Sequence, residues 1–302
     1  MKSNTKEGMV IFMNKANVNA NFKAIFSNKN HPVQIIGVSN ALCALMAEKA
    51  GVKAIYLSGA GVANGCFGLP DLALTGLKDI VEEVNRITSV SQLPLLVDID
   101  TGFGSMLTIK KAVKELMRAG AAGLQIEDQV FIKRCGHLEG KQLVSITEMV
   151  ARIEAIREVS SKDKISIVAR TDALGIESQE RALERAFAYE AAGADMLFLE
   201  AASDLKTYRY FSEQLSIPVL ANSTEFGKTP IFEYDELKQA GVGAILYPLS
   251  VFRVMNQAAF ESYQEILKTG SQKNLVPKMQ TRADLYEFIH YADFEKIKQE
   301  KT

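Results

Sequence analysis

The residues best suited to chemistry lie in one run, Lys133-Arg134-Cys135-Gly136-His137. A thiol stands there between fixed cations and an imidazole. Nearby positive charge favours thiolate over thiol, so Cys135 is expected to be a reactive sulfur with a lowered pKa. His137 has no second histidine near it in the sequence and fits an active-site partner better than a metal ligand. His31 and His290 read as structural. The competing reading of the run is a charged surface loop with an incidental cysteine. Carboxylates form a second group. Asp98 and Asp100 are two apart in an apolar run, a spacing that turns both side chains to one face of a strand. With Glu127 nearby they would repel unless a cation sits among them. Oxygen-only ligands suit Mg2+ or Mn2+, and the alternative is that these acids bond to helix N-termini or to Arg170. Arg170, Arg253 and Arg282 are candidates to hold substrate carboxylates bidentately. For Arg282 alone, a surface salt bridge is the competing reading. Ser58-Gly59-Ala60 offers backbone amides to a carboxylate or oxyanion. A dinucleotide loop is a poorer fit, because Gly65 falls off the G-x-G-x-x-G spacing. Tyr56, at a strand end, is either a buried core tyrosine or an acid/base or orienting group.

These groups need a scaffold, and the chain repeats one. Ala50-Gly51-Val52, Ala119-Gly120-Ala121, Ala192-Gly193-Ala194 and Ala240-Gly241-Val242 each end a helix-like segment and precede a short apolar run. Glycine suits a helix C-terminus that closes in the left-handed region. Eight apolar runs result, over residues 33–37, 54–58, 94–100, 123–128, 165–171, 196–201, 217–223 and 243–248. Such continuously apolar runs suit parallel strands buried on both faces. Eight of them alternating with helices predict an α/β fold of the (β/α)8 TIM-barrel type; an open doubly wound sheet is the runner-up. Helices are predicted over 109–119, 147–159, 178–191 (with Ser178 as N-cap), 252–267 and 281–298. The last two extend beyond a complete barrel, with 281–298 placed on its outside or on another subunit. Polar residues gather where the strands end: Ser58, Asp98, Asp100, Glu127, Arg170, Asp172, Glu200, Asn222 and Thr224, with Arg253 following the eighth strand. That rim is where barrel enzymes build active sites.

The bulk properties fit a globular enzyme. The 302 residues are 47% hydrophobic and 24% charged, and 35 basic against 36 acidic residues leave a net charge of −1. No basic field favours nucleic acid or an anionic membrane, and no apolar run reaches the ~18 residues of a membrane helix. Three scattered cysteines, Cys43, Cys66 and Cys135, fit neither a disulfide framework nor a zinc site. A reducing cytosol is the simplest home, so a cytoplasmic protein is expected. Residues 1–20, rich in Lys and Asn, read as a flexible N-terminal extension, with a helix beginning near Asn19. Residues 21–302 read as a single domain.

From Phe22 to Glu295 the chain resembles the isocitrate lyase and phosphoenolpyruvate mutase superfamily. The matching motifs are Tyr56-Leu57-Ser58-Gly59, Gly68-Leu69-Pro70-Asp71, Val97-Asp98-Ile99-Asp100-Thr101-Gly102-Phe103-Gly104 and Ile126-Glu127-Asp128-Gln129. Ala169-Arg170-Thr171-Asp172, Asn222-Ser223-Thr224-Glu225-Phe226-Gly227 and Gln280-Thr281-Arg282 match as well. Lys133–His137 is the most specific, since mutases, hydrolases and decarboxylases of the superfamily generally lack it. Arg134 and the chain length favour the methylisocitrate lyase branch over the isocitrate lyases, which usually show Lys-Lys-Cys-Gly-His and are longer. The resemblance implies a carbon–carbon lyase acting on a small tricarboxylate in propionate catabolism, the 2-methylcitrate cycle. It implies Mg2+ on Asp98 and Asp100 with Glu127 in the outer shell, and Cys135 as general acid to a carbanion. Ser58, Gly59 and Ala60 would contact the pyruvate-forming half, and Cys135, Gly136, Arg170, Glu200, Asn222, Thr224, Arg253 and Arg282 the substrate. Residues 131–141 would close over the site. Departures occur at Ala60, where the family often has glycine, at Leu138-Glu139-Gly140 and at Leu199. Phe198 and Leu246 are candidates to line a methyl pocket that separates the methylated substrate from isocitrate. The alternatives kept are an isocitrate lyase, a phosphonate- or oxaloacetate-processing relative, and a non-catalytic binding protein. The resemblance also implies a homotetramer with exchanged C-terminal helices.

Overall fold

A computed structural model of the protein describes Phe22, Ile25 and residues 31–131, 133–134, 136, 140–161 and 164–299. The expected N-terminal extension 1–20 and its helix lie outside the described residues, as do Cys135 and His137. Eight parallel strands close into one barrel in chain order. They are β1 (Val33–Gly37), β2 (Ala54–Leu57), β3 (Leu95–Asp98), β4 (Gly123–Glu127), β5 (Ser166–Thr171), β6 (Met196–Leu199), β7 (Val219–Asn222) and β8 (Ala244–Tyr247). β8 returns to pair with β1, setting Ile35 opposite Leu246. Each falls within or on one of the eight apolar runs, because strands covered on both faces have no polar side to interrupt them. β2 through β7 are buried at every position.

Alternation along the strands divides the core in two. Ile55, Leu57, Leu95, Val97, Leu124, Ile126, Ile167, Leu197, Leu199 and Ile245 point outward and pack under the helices. Tyr56, Leu96, Val168, Met196, Phe198, Leu220 and Leu246 fill the barrel interior. By the same period of two, Asp98, Gln125, Glu127, Arg170 and Asn222 share the inward face with these residues. Each stands at or near the C-terminal end of its strand, so the inner layer turns from apolar to charged toward that mouth. The other end is filled by the fully buried Phe22. A Cβ on Gly123 would come within 2.6 Å of the Phe22 ring, so glycine makes room for this plug.

The helices follow the expected signals. Side chains of Ser58, Ser105, Ser145 and Ser178 cap the N-termini of Gly59–Phe67, Met106–Ala119, Ile146–Val159 and Gln179–Ala191. All four repeat glycines take positive φ: Gly51 86°, Gly120 103°, Gly193 107° and Gly241 80°. Beyond the barrel lies the long helix Ser250–Thr269. The single last helix expected over 281–298 is instead two, Arg282–Phe288 and Tyr291–Gln299. His290 at φ 52° breaks the run, and Tyr286 stacks on Tyr291 across the break at 4.2 Å between ring centroids.

Candidate active site

A cavity of about 380 Å³ opens at the C-terminal mouth of the barrel. Tyr56, Ser58, Ala60, Asp98, Gly136, Arg170, Phe198, Glu200, Asn222, Thr224, Leu246 and Arg253 all line it. Strain collects around this mouth. Asp100 and Phe103 after β3, Ala201 after β6 and Phe226 after β7 are four of the six described non-glycine residues with positive φ, a pattern typical of loops held for function.

The acids converge at the ends of β3 and β4. Ligand atoms of Asp98, Asp100 and Glu127 lie within 4.8 Å of one another. The convergence is not made by one flat strand, as the spacing suggested. β3 ends at Asp98, and Asp100 turns back through a left-handed conformation at φ 49°. Its backbone N–H then donates to Asp98 Oδ1 at 3.1 Å. Asp98 is held from two further sides. Gly59 N–H, in the first turn of the helix after β2, donates to Oδ2 at 3.2 Å, and Gln125 Nε2 donates to Oδ1 at 3.1 Å. Gln125 is fixed in turn by the Tyr56 hydroxyl, which donates to Oε1 at 2.6 Å. Burial, followed by the Asp98 charge, pushes the Tyr56 phenol well above its ordinary range. It stands as a neutral hydrogen-bond donor.

Glu127 is fully buried, and neither of its carboxylate oxygens has a hydrogen-bond partner among the described residues. Its nearest cation is Arg170, with Nη1 at 3.4 Å from Oε2. Burial raises the Glu127 carboxyl well above the usual carboxylate range and pushes Asp100 up to about 6. Three buried acids converging on one point, with both Glu127 oxygens lacking a hydrogen-bond partner among the described residues, fit a hard divalent cation, whose charge would reverse both shifts.

Arg170 organises the opposite side. Asp172 binds it in a fork, Nε to Oδ2 at 2.9 Å and Nη2 to Oδ1 at 3.1 Å. The guanidinium lies over the Phe198 ring at 5.3 Å and reaches Glu200 at 3.4 Å. Asn222 Nδ2 donates to both Glu200 oxygens at 3.3 and 3.4 Å. Gly136 is pressed onto this group: a Cβ there would collide with Arg170 Nη2 and sit 2.5 Å from Glu200 Cγ. Arg253 stands farther out, half-exposed above the Phe226 ring. Arg282 is exposed and is not among the cavity-lining residues.

Three more residues hold the site together: Asp71 and Gln125, to which the sequence assigned no role, and Lys133, read there only as a cation beside the Cys135 thiol. Lys133 is buried and its ammonium bridges Asp71 at 2.7 Å and Asp100 at 2.8 Å. Burial opposes that charge, yet Asp100, Glu127, Asp98 and Asp71 outweigh it and raise the lysine pKa. The signal for Asp71 was its place at the end of Gly68-Leu69-Pro70-Asp71. For Gln125 it was an amide on the inward face of β4, two residues before Glu127. No helix of the described residues is long and apolar enough to cross a membrane.

Comparison with known proteins agrees with this geometry. The phosphoenolpyruvate phosphomutase family model matches residues 22–267. The chain is 50% identical to the 2-methylisocitrate lyase of Shewanella oneidensis, over 91% of this chain and 94% of that protein. It is 51% identical to the 2-methylisocitrate lyase of Escherichia coli, over 91% and 93%. A crystal structure of 2,3-dimethylmalate lyase, a PEP mutase/isocitrate lyase superfamily member, superposes with a TM-score of 0.87 at 30% identity, covering 96% of each chain. An acid cluster at the barrel mouth, an arginine fork beside it and sequence identity running the length of the domain all lead one way: this chain belongs to the PEP mutase/isocitrate lyase superfamily and, within it, to the 2-methylisocitrate lyase family.

Proposed function

We propose that the protein is a Mg2+-dependent carbon–carbon lyase that cleaves 2-methylisocitrate to pyruvate and succinate. One observation carries the reading. Gly136, from the lyase-specific Lys133–His137 signature, is seated against Arg170 and Glu200 in the same mouth as the Asp98–Asp100–Glu127 cluster. Asp98 and Asp100 would hold the cation, with Glu127 behind them. When bound, it supplies Lewis-acid polarisation of substrate carboxylate and hydroxyl oxygens.

The protein's own groups do the rest. Ser58, Gly59 and Ala60 border the pyruvate-forming half. Arg170, preset by Asp172, offers its remaining guanidinium edge to a carboxylate of the succinate half, with Asn222, Thr224 and Arg253 beside it. The substrate hydroxyl passes its proton to water in the open cavity, its oxygen becomes the pyruvate carbonyl, and the C–C bond breaks with its electron pair passing to the succinate carbon. Cys135 gives its proton to that carbon. Tyr56, already donating to Gln125, orients the acid cluster rather than accepting a proton. Phe198 and Leu246 line the cavity as apolar surface suited to the extra methyl. By the same reading the chain works in the cytosol as a homotetramer exchanging its C-terminal helices. Support comes from the helix Ser250–Thr269, which buries no residue in its own chain.

The test is a product assay. Purified protein with Mg2+ should release pyruvate from 2-methylisocitrate, stop on chelation with EDTA and recover when Mg2+ is restored. Glyoxylate release from isocitrate should have a kcat/KM lower by about 10–200-fold, the scale of one methyl in an apolar pocket. Faster glyoxylate formation, or turnover indifferent to EDTA, would contradict the proposal.

A further inference from the structure

We infer that Lys141 is a positioning residue that ties the seating of Gly136 to the Arg170–Asp172 fork. The side chain of Lys141 is buried, and its ammonium donates to the Gly136 carbonyl at 2.6 Å and to Asp172 Oδ1 at 2.9 Å. Asp172 is fully buried and has three jobs at once. It forks Arg170, accepts from Lys141, and donates its backbone N–H to Asp128 Oδ1 at 3.0 Å. One ammonium thus joins a carbonyl from the signature segment to the acid that aims the substrate-facing arginine.

The arrangement is electrostatically one-sided. The Gly136 carbonyl and the Asp172 carboxylate both present oxygen to the same Nζ. With the cation present they are bridged. Without it, a buried carbonyl loses its donor and confronts a carboxylate, and both changes are unfavourable. Gly136 has no slack in which to absorb a shift, because its α-carbon already packs where a Cβ would clash with Arg170 and Glu200. Losing the ammonium would therefore push Gly136, the sequence neighbour of Cys135, off the Arg170–Glu200 surface. Arg170 would keep its two direct hydrogen bonds to Asp172, one of them to Oδ2, which Lys141 does not touch. Substrate binding through Arg170 should then survive while the reaction step suffers.

This rests on the lyase reading, and the experiment separates the two. Wild-type turnover tests the lyase reading alone. Lys141→Met should lower kcat about 10²-fold, the effect of roughly 1 Å of misplacement at a reacting centre, with KM changed by less than about threefold. Lys141→Arg, which can still donate to both oxygens, should recover most of the loss. Lys141→Ala should be rescued in a dose-dependent way by propylammonium, which restores an ammonium without restoring the residue. A readout independent of turnover is cleavage after the buried Lys133 by a lysine-specific protease. It should be faster in Lys141→Met than in wild type, and near wild type in Lys141→Arg. Unchanged kcat in Lys141→Met, a loss appearing in KM alone, or failure of both arginine and propylammonium to rescue would each overturn the inference. Should Lys141→Met not fold, the Lys141→Ala rescue and the arginine variant still decide it.

Discussion

Asp98, Asp100 and Glu127 bring three carboxylates into a space with one ammonium, Lys133, touching Asp100 and one guanidinium, Arg170, near Glu127. Burial is the main reason that Asp100 is pushed up to about 6 from its ordinary 3.8. A raised carboxyl pKa means that the folded metal-free protein holds a proton that the unfolded chain has released. Stability of that form therefore falls as pH rises from about 4 to about 6. Cation binding has the opposite pH dependence, because the ligand must be ionised and protons compete for it. Mg2+ or Mn2+ affinity, measured by titration calorimetry, should be about tenfold weaker near pH 5 than near pH 7.5, with net proton release on binding at the lower pH. Affinity flat across that range would remove Asp100 from the ligand set. The acids were legible in the sequence because each stands at the end of an apolar run; the period of two places Asp98 and Glu127, whereas Asp100 reaches the cluster through a left-handed turn that the period does not foresee. The Lys133–Asp71 and Lys141–Asp172 pairs were not legible. They join segments 62 and 31 residues apart through loops that have no period.

At the scale of elements, continuous hydrophobicity identified all eight strands, because each strand's outward face is covered by helices and its inward face by the opposite strands. The Ala-Gly repeat identified where helices stop. What period alone could not show was the break at His290, where 281–298 keeps an apolar spacing but folds back so that two tyrosines stack. Nor could it show which residue fills the closed end of the barrel. Phe22 does so, and Gly123 on β4 is the counterpart that admits it. Gly123→Ala would set a methyl 2.6 Å from the Phe22 ring and 3.1 Å from Leu96 Cδ1. Overpacking of this kind costs about 1–3 kcal/mol. The variant should therefore show a lower Tm by calorimetry, and Phe22→Leu in the same chain should recover part of it, making the two changes non-additive. Strict additivity would mean that Phe22 does not occupy that space in solution.

At the scale of the whole molecule, the barrel leaves two things unaccounted for in a single chain. The helix Ser250–Thr269 keeps Val254, Phe260, Tyr263 and Leu267 between 57% and 86% exposed. Arg282, which the resemblance assigns to substrate, stands away from its own chain's cavity. Apolar surface on this scale marks an interface, and an arginine delivered across it would explain both facts together. Symmetry makes the idea testable. A chain carrying Cys135→Ser and a chain carrying Arg282→Ala should each be nearly inactive alone. If Arg282 serves the neighbouring site, a mixed pair contains one site with both lesions and one with neither. Co-expression at equal amounts should then restore about a quarter of wild-type activity, since half of randomly formed pairs are mixed and half of their sites are intact. If Arg282 serves its own site, every site keeps one lesion and mixing restores nothing. Light scattering on Phe260→Glu provides the matching physical readout. Loss of the larger species together with loss of activity ties the exposed helix to a completed site, and an unchanged mass with full activity would separate them.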